Sequence, residues 1–438
     1  MTPKGVYINF LKTCTMKNQK KLQIVLFGLA CILLVVSCSK NENTPKDHDQ
    51  NDDTAQTTAR SVLSRISFTD DNHTVPIEAA KALAFNLDKI MPPSTRLSKA
   101  GVALSIEKSF TINDSAGSPN MYVFDYTGDG FAVFSADERY NPVLAVVPNG
   151  KYEQCKNLAG ITNWFGETMD YINLAKKGHS DPQNNTTARW RHVIDQINKP
   201  AEATSARSVA SPMGCTYPTY TNVFVGMTTT WGQYCGYNDS LTYANIGFYG
   251  PCSVCSSNPN PPTGCVATAM AQVIKFWAAT TPQNYNYANM PDNNWPADSS
   301  EVNRLMKDAG ISASMNYTCG GSGTYLTSAQ NGFLNTFGYS NVDRSYSGTS
   351  PINLPVLVSN ITNGFPVILG GCSSSGDCHA WVCDGYEKLV SSCYTYYYLQ
   401  MNWGWDGYGN GWYENNNWNS PYGTFSHHQK EMLYNILP

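Results

Sequence analysis

Pro262-Thr263-Gly264-Cys265-Val266-Ala267-Thr268-Ala269-Met270-Ala271-Gln272-Val273-Ile274-Lys275-Phe276-Trp277 is the stretch on which the fold turns. Val266, Met270, Val273, Ile274 and Trp277 recur at helical spacing and fall on one face. Pro262 and Gly264 stand just upstream, so a helix is expected to begin at Cys265. The first N–H groups of a helix lack partners within it, and the aligned peptide dipoles favour an anion there. A thiol in that place is expected to ionise more readily, which makes Cys265 a candidate nucleophile. In a chain rich in cysteine, position alone leaves open that Cys265 is a half-cystine or a small core residue.

The second signal is Asp377-Cys378-His379-Ala380-Trp381-Val382-Cys383-Asp384-Gly385-Tyr386. His379 opens a strand pattern that puts Trp381 and Cys383 on its own face. Tyr394 to Met401 is a second strand pattern, running into Asn402-Trp403-Gly404-Trp405. An antiparallel hairpin centred near Val390 would set His379 across from Met401 or Asn402. An Asn there can hold the imidazole in one orientation and tautomer, while the indoles of Trp403 and Trp405 shield the bond from water. Of the seven histidines only His379, His427 and His428 lie in the C-terminal half, and the last two sit in no periodic context. His379 is therefore the candidate base. An attacking thiolate also needs donors for the developing oxyanion. The Cys265 N–H is one, and the amide of Gln233 in Trp231-Gly232-Gln233 offers another.

The chain has 438 residues, 14% of them charged, and a formal net charge of −4. No basic stripe suggests a nucleic-acid groove. Lys17, Lys20 and Lys21 precede an apolar run from Ile24 to Val36, followed by Ser37-Cys38. A basic flank and a short apolar run describe a secretory signal rather than a membrane span. Leu34-Val35-Val36-Ser37-Cys38 resembles a bacterial lipobox, which makes Cys38 the expected lipidation site and a lipid anchor the only membrane contact. Export agrees with the cysteine usage: setting aside Cys14, Cys31, Cys38 and Cys265 from 14 leaves ten, a density that reads as disulfides. Cys155 stands alone among them in the N-terminal half, so at least one of the other nine is unpaired or bridges the halves.

The expected organisation is a signal over 1–38, a polar tether over 39–58, an α+β unit over 59–198, a linker over 199–213 and a second domain over 214–438. Within the first unit, 77–90 and 158–175 read as amphipathic helices. Met121–Tyr126 and Phe131–Ser135 read as a hairpin, and 142–147 as a further strand. Lys199 to Met213 is small, polar and Pro-bearing, the kind of exposed segment on which proteolysis falls.

Three of these segments, in order, carry a family resemblance. Gly264-Cys265-Val266-Ala267-Thr268-Ala269, the run from His379 to Tyr386, and Asn402-Trp403-Gly404-Trp405-Asp406-Gly407 resemble the streptopain family of papain-like cysteine peptidases. Phe131 to Arg139 with Pro142-Val143-Leu144 is similar to that family's inhibitory prodomain. The resemblance implies an α+β, papain-like fold of two subdomains, a helical part bearing the cysteine and a β part bearing the histidine, behind an α+β prodomain. It also implies a zymogen that hydrolyses protein or peptide substrates, with its own prodomain as intramolecular inhibitor and no cofactor or metal. Carried over, Cys265 is the nucleophile, His379 the base, Gln233 the oxyanion donor, and Asn402 with Trp403 the orienting neighbours. The chain departs from plant and lysosomal relatives in lacking Cys-Gly-Ser-Cys-Trp at the nucleophile. It also adds Cys235, Cys252 and Cys255 before the nucleophile, and Cys372, Cys378, Cys383 and Cys393 around the histidine.

Other chemistries compete for the same residues. Cys252-Ser-Val-Cys255 has zinc-knuckle spacing that Cys378-His379 would have to complete, an awkward pair of adjacent ligands for one tetrahedral ion. A disulfide-rich surface lipoprotein that binds glycan or protein without catalysis would need no lone helix-start cysteine, so a disulfide at Cys265 would favour it. An acyltransferase would share the catalytic residues and differ in its acceptor.

Overall fold

The computed structural model describes residues 61–198, 214–293, 300–415 and 427–438, apart from 67, 69–71, 93–94, 96, 98–102, 249, 349 and 374–375. The expected signal with Cys38, the tether and the linker 199–213 lie outside the described residues.

The N-terminal unit is an antiparallel meander of β1 (Ile106–Asn113), β2 (Pro119–Tyr126), β3 (Phe131–Ser135) and β4 (Val143–Val147). The helical pattern over 77–90 breaks at Asn86 into Ile77–Phe85 and Leu87–Ile90. The second expected helix runs Ile161–Lys176. β1 and a helix at Thr186–Asn198 were absent from the sequence reading. β1 alternates only between half-buried and exposed positions, so it carries little apolar signal.

The C-terminal half contributes β5 (Thr219–Phe224), β6 (Asn341–Gly348), β7 (Val367–Ser373), β8 (Cys378–Ser391), β9 (Tyr394–Asn402), β10 (Gly411–Glu414) and β11 (His427–Leu437). The strand order is β1-β2-β3-β4-β10-β9-β8-β7-β11-β6, with β5 beside the second half of β8. One sheet thus crosses both halves of the chain. The seam is β4 against β10, with Val146 opposite Trp412 and Ala145 opposite Tyr413.

Three apolar cores flank this sheet. One surrounds the Cys265–Trp277 helix, which packs with the Ser300–Ser312 helix against Ala380, Val382 and Ile368. That helix is buried on nearly every side rather than on one face: Ala267, Ala269 and Ala271 are enclosed along with Met270 and Val273. The small side chains let the sheet and neighbouring helix approach closely. The other two cores each mix residues of both halves, such as Phe134 with Tyr398 and Trp164 with Trp403. The N-terminal unit is therefore packed onto the C-terminal half as layers of one domain are packed, by hydrophobic burial on both faces of a shared sheet. The helical part carries Cys265 and the β part carries His379, as the α+β, two-subdomain expectation has it.

Candidate active site

Cys265 begins its helix as expected, and Gly264 makes the entry possible. Gly264 has φ +88°, and a Cβ there would stand 2.7 Å from the Ser322 carbonyl oxygen and 2.9 Å from Met315 Sδ. Only glycine takes that turn against that surface. The N–H groups of Ala380, Val266 and Cys265 itself stabilise the thiolate, yet burial outweighs them and raises the thiol pKa above its ordinary value. The sequence expectation of a lowered pKa is thus reversed in this state: the helix start acts as foreseen, but the covering of the thiol acts more strongly.

His379 is 4% exposed and lies on β8 opposite Gly371. Its ring stacks on Trp405 at 5.2 Å between centroids and 8° between planes, and on Trp381 at 6.1 Å and 11°. Burial lowers its pKa to about 4, so the ring is neutral at pH 7. Its Nε2 lies 2.8 Å from the Trp403 carbonyl oxygen. A carbonyl only accepts, so Nε2 carries the proton and Nδ1 keeps the lone pair, the tautomer a general base requires.

The expected placement of Asn402 across from His379 is corrected by the register. The β8–β9 hairpin turns at Ser392-Cys393 rather than near Val390, and a bulge at Asp384 shifts the pairing again. Asn402 consequently faces Val382. Its Nδ2 donates to the Thr229 carbonyl at 2.7 Å and to Gln272 Oε1 at 3.0 Å, and its Oδ1 accepts from the Gly404 N–H at 3.4 Å. The neighbour that holds His379 is the backbone carbonyl of Trp403, not the Asn402 amide.

Gln272 is the residue the sequence reading missed. It is fully buried, and its Oε1 also accepts from the Trp231 N–H at 3.2 Å. One side chain on the Cys265 helix therefore ties down both Asn402 and the segment that carries Gln233. A signal was available: an amide seven positions, two helical turns, after Cys265 on a helix whose other polar residues are Thr268 and Lys275. Gln233 is buried, and its carbonyl accepts from the Thr263 N–H at 2.9 Å, two residues before Cys265. Its amide donates to the Gly404 carbonyl at 3.5 Å.

The N-terminal unit closes over these groups. Trp405 Nε1 donates to the Ala159 carbonyl at 3.1 Å, and Asn163 Nδ2 to the Asp377 carbonyl at 3.2 Å. Gly160 abuts the His379 and Trp403 rings. Glu167 pairs with Lys430. No hydrogen bond joins Cys265 to His379 in this closed arrangement.

Disulfides join Cys215 to Cys393, Cys235 to Cys255, Cys252 to Cys319 and Cys372 to Cys378. Cys252 and Cys255 are thereby removed as zinc ligands. Among the described residues Cys155, Cys265 and Cys383 are unpaired, and Cys383 is the odd cysteine of the C-terminal half. Cys265 is the one residue of the three that is not buried as a whole, and it lacks the disulfide that would favour a purely binding protein.

Comparison with known proteins agrees with this geometry. Residues 231–413 match the Peptidase C10 family and residues 72–172 match the Spi protease inhibitor family. The chain is 23% identical over 316 residues to the thiol protease/hemagglutinin PrtT of Porphyromonas gingivalis, covering 65% of this chain and 32% of that protein. It thus spans about a third of that relative's length. It is 22% identical over 388 residues to streptopain of Streptococcus pyogenes, covering 80% of this chain and 87% of that one. A prointerpain A fragment of Prevotella intermedia shares the fold, with a TM-score of 0.52 at 24% identity over 76% of this chain and 98% of that one. Residues 231–413 are therefore a Peptidase C10 family domain, preceded in the same chain by a Spi protease inhibitor domain.

Proposed function

We propose that the chain is the precursor of an exported bacterial cysteine endopeptidase, held inactive by its own N-terminal domain. The observation that carries this reading is an unbonded, helix-start Cys265 that takes the N–H of Ala380, the residue after a neutral His379 whose Nδ1 keeps its lone pair, with Ala159 and Gly160 covering the histidine's side of the site. Once the cover leaves, His379 Nδ1 takes the Cys265 proton, and the thiolate attacks the scissile carbonyl. The Cys265 N–H and the Gln233 amide hold the oxyanion. His379 then protonates the leaving amine, and water hydrolyses the thioester with His379 as base. Asn402 acts at one remove: tied to Thr229, Gln272 and the Gly404 N–H, it anchors the chain on either side of Trp403, whose carbonyl orients the imidazole.

The proposed boundaries are a signal ending at the lipidated Cys38, a tether over 39–58, an inhibitory prodomain over 59–198, a cleavable linker over 199–213 and a peptidase domain over 214–438. Cys215, tied to Cys393, pins the chain just beyond that linker. If the lipid sits on Cys38, cutting the linker leaves the anchor with the prodomain and releases the peptidase.

The test is labelling by an epoxide inhibitor of cysteine peptidases, on processed wild type and on Cys265→Ala. Labelling at Cys265, with peptide hydrolysis at least ~10⁴-fold lower in the variant, is expected. An unlabelled Cys265 in protein without peptidase activity would overturn the reading.

A further inference from the structure

The main chain of the N-terminal unit follows a strip of the peptidase half that ends at the catalytic histidine. Ala145 and Val146 pair with Tyr413 and Trp412 on β10. The Asn149 carbonyl accepts from the Gly409 N–H at 3.0 Å. The Ala159 carbonyl accepts from the Trp405 indole, and Gly160 then meets His379. On the N-terminal side every one of these polar contacts is made by backbone. Such contacts recognise an extended chain without regard to its side chains. When the N-terminal unit is cut away, the Trp405 and Gly409 donors lose their acceptors and β10 becomes an edge strand. An unpaired edge beside a catalytic centre is a template for another extended chain.

We propose that Trp405, Gly409 and the β10 edge at Trp412–Tyr413 form a docking track for the part of a polypeptide substrate C-terminal to the scissile bond. This deepens, and rests on, the peptidase reading above. His379 protonates the leaving amine, so the departing portion of the substrate passes on the histidine's side, where this strip lies. The N-terminal unit travels the strip in the opposite sense, meeting β10 at 145–146 and His379 only at 160. Its chain therefore arrives at His379 in the sense opposite to a substrate, which runs outward, parallel to β10. The His379–Trp403 and Trp403–Tyr413 ring centroids are 6.4 and 5.2 Å apart. At roughly 3.3 Å per extended residue, β10 is reached about four residues beyond the scissile bond.

The experiment uses enzyme processed from the full chain and two fluorogenic peptides with identical acyl sides. One ends in a small amide leaving group, and the other continues for eight residues. The expected result is a kcat/KM at least tenfold higher for the long peptide, lost when the backbone nitrogens of its fifth to eighth residues are methylated. Equal rates for the two peptides, or a gain that survives methylation, would overturn the track while leaving the peptidase reading intact. Hydrolysis of neither peptide would overturn the peptidase reading and the track with it.

Discussion

Gly160 lies so close to His379 that a Cβ on it would fall 2.7 Å from His379 Cδ2 and 2.6 Å from Trp403 Cε3. The two residues are 219 positions apart in sequence, and the backbone of one is the lid over the ring of the other. Gly160 also has φ +84°, which side-chain-bearing residues rarely adopt. The lid is therefore defined by the absence of a side chain, and a side chain there acts on the closed state alone. Gly160→Ala is expected to destabilise the closed precursor by about 1–3 kcal/mol. Unprocessed Gly160→Ala, combined with a linker that resists cleavage, should hydrolyse a small peptide substrate faster than the wild-type precursor with the same linker.

Acid should open the same contact. Burial holds His379 near pKa 4 from an ordinary 6.5. The open or unfolded state binds a proton in this window and the closed state does not. The stabilisation is thus present above pH 6.5 and is lost as pH falls towards 4, by about 3 kcal/mol in all. Processing of the full chain, followed on a gel from pH 7 to 4.5, should accelerate as pH falls. A rate flat or falling across that range counts against the lid as the source of the shift.

Glu414 carries the opposite sign. Its carboxyl is buried at the seam between the halves, and desolvation raises its pKa from 4.5 to about 8. The folded state keeps its proton between these values while the unfolded state loses it, so stability falls as pH rises from 4.5 to 8. Glu414→Gln removes the charge without removing the shape. Its unfolding free energy should match wild type near pH 4.5 and exceed it increasingly up to pH 8, by an amount on the order of 4 kcal/mol.

Gln272→Leu should separate fold from catalysis. The substitution leaves Asn402 and the Trp231 N–H without their shared acceptor in a dry core, at about 1–3 kcal/mol. Small displacements of the Trp403 carbonyl and of Gln233 should lower kcat roughly 10- to 100-fold with little change in KM. Loss of Trp403's hold on the imidazole should also move the acid limb of the kcat/KM pH profile. A variant destabilised but unchanged in kcat and in pH profile would make Gln272 a packing residue only.

Native thiol labelling should distinguish the three unpaired cysteines. Burial pushes Cys155 up to about 12 and raises Cys383 as well, so both are protonated and enclosed. Iodoacetamide should modify Cys265 alone of the three, slowly in the precursor and faster after processing, once His379 is uncovered and can take its proton. Peptide mapping that finds Cys155 or Cys383 modified first would contradict this order.

Several features of this protein were legible along the chain. Gly264 and the apolar spacing from Val266 to Trp277 place a helix start at Cys265, because helix entry and period depend on residues within a few positions of each other. The same locality made β2 with β3, and β8 with β9, readable as hairpins. Other features had no local trace. The pairing of β4 with β10 joins residues more than 260 positions apart. The two-residue turn at Ser392-Cys393 and the bulge at Asp384 moved Asn402 away from His379, and because both faces of these strands are largely covered, neither strand's pattern marks the register. The sequence by itself determined which groups are available: one helix-start thiol, one strand-borne imidazole, and an amide and indoles to surround them. Tertiary structure decided that a carbonyl rather than the amide holds the ring, that Gln272 braces both arms of the site, and that desolvation overrides the helix start at Cys265. Those outcomes depend on register and on desolvation, which are set by what packs across the sheet and not by neighbours along the chain.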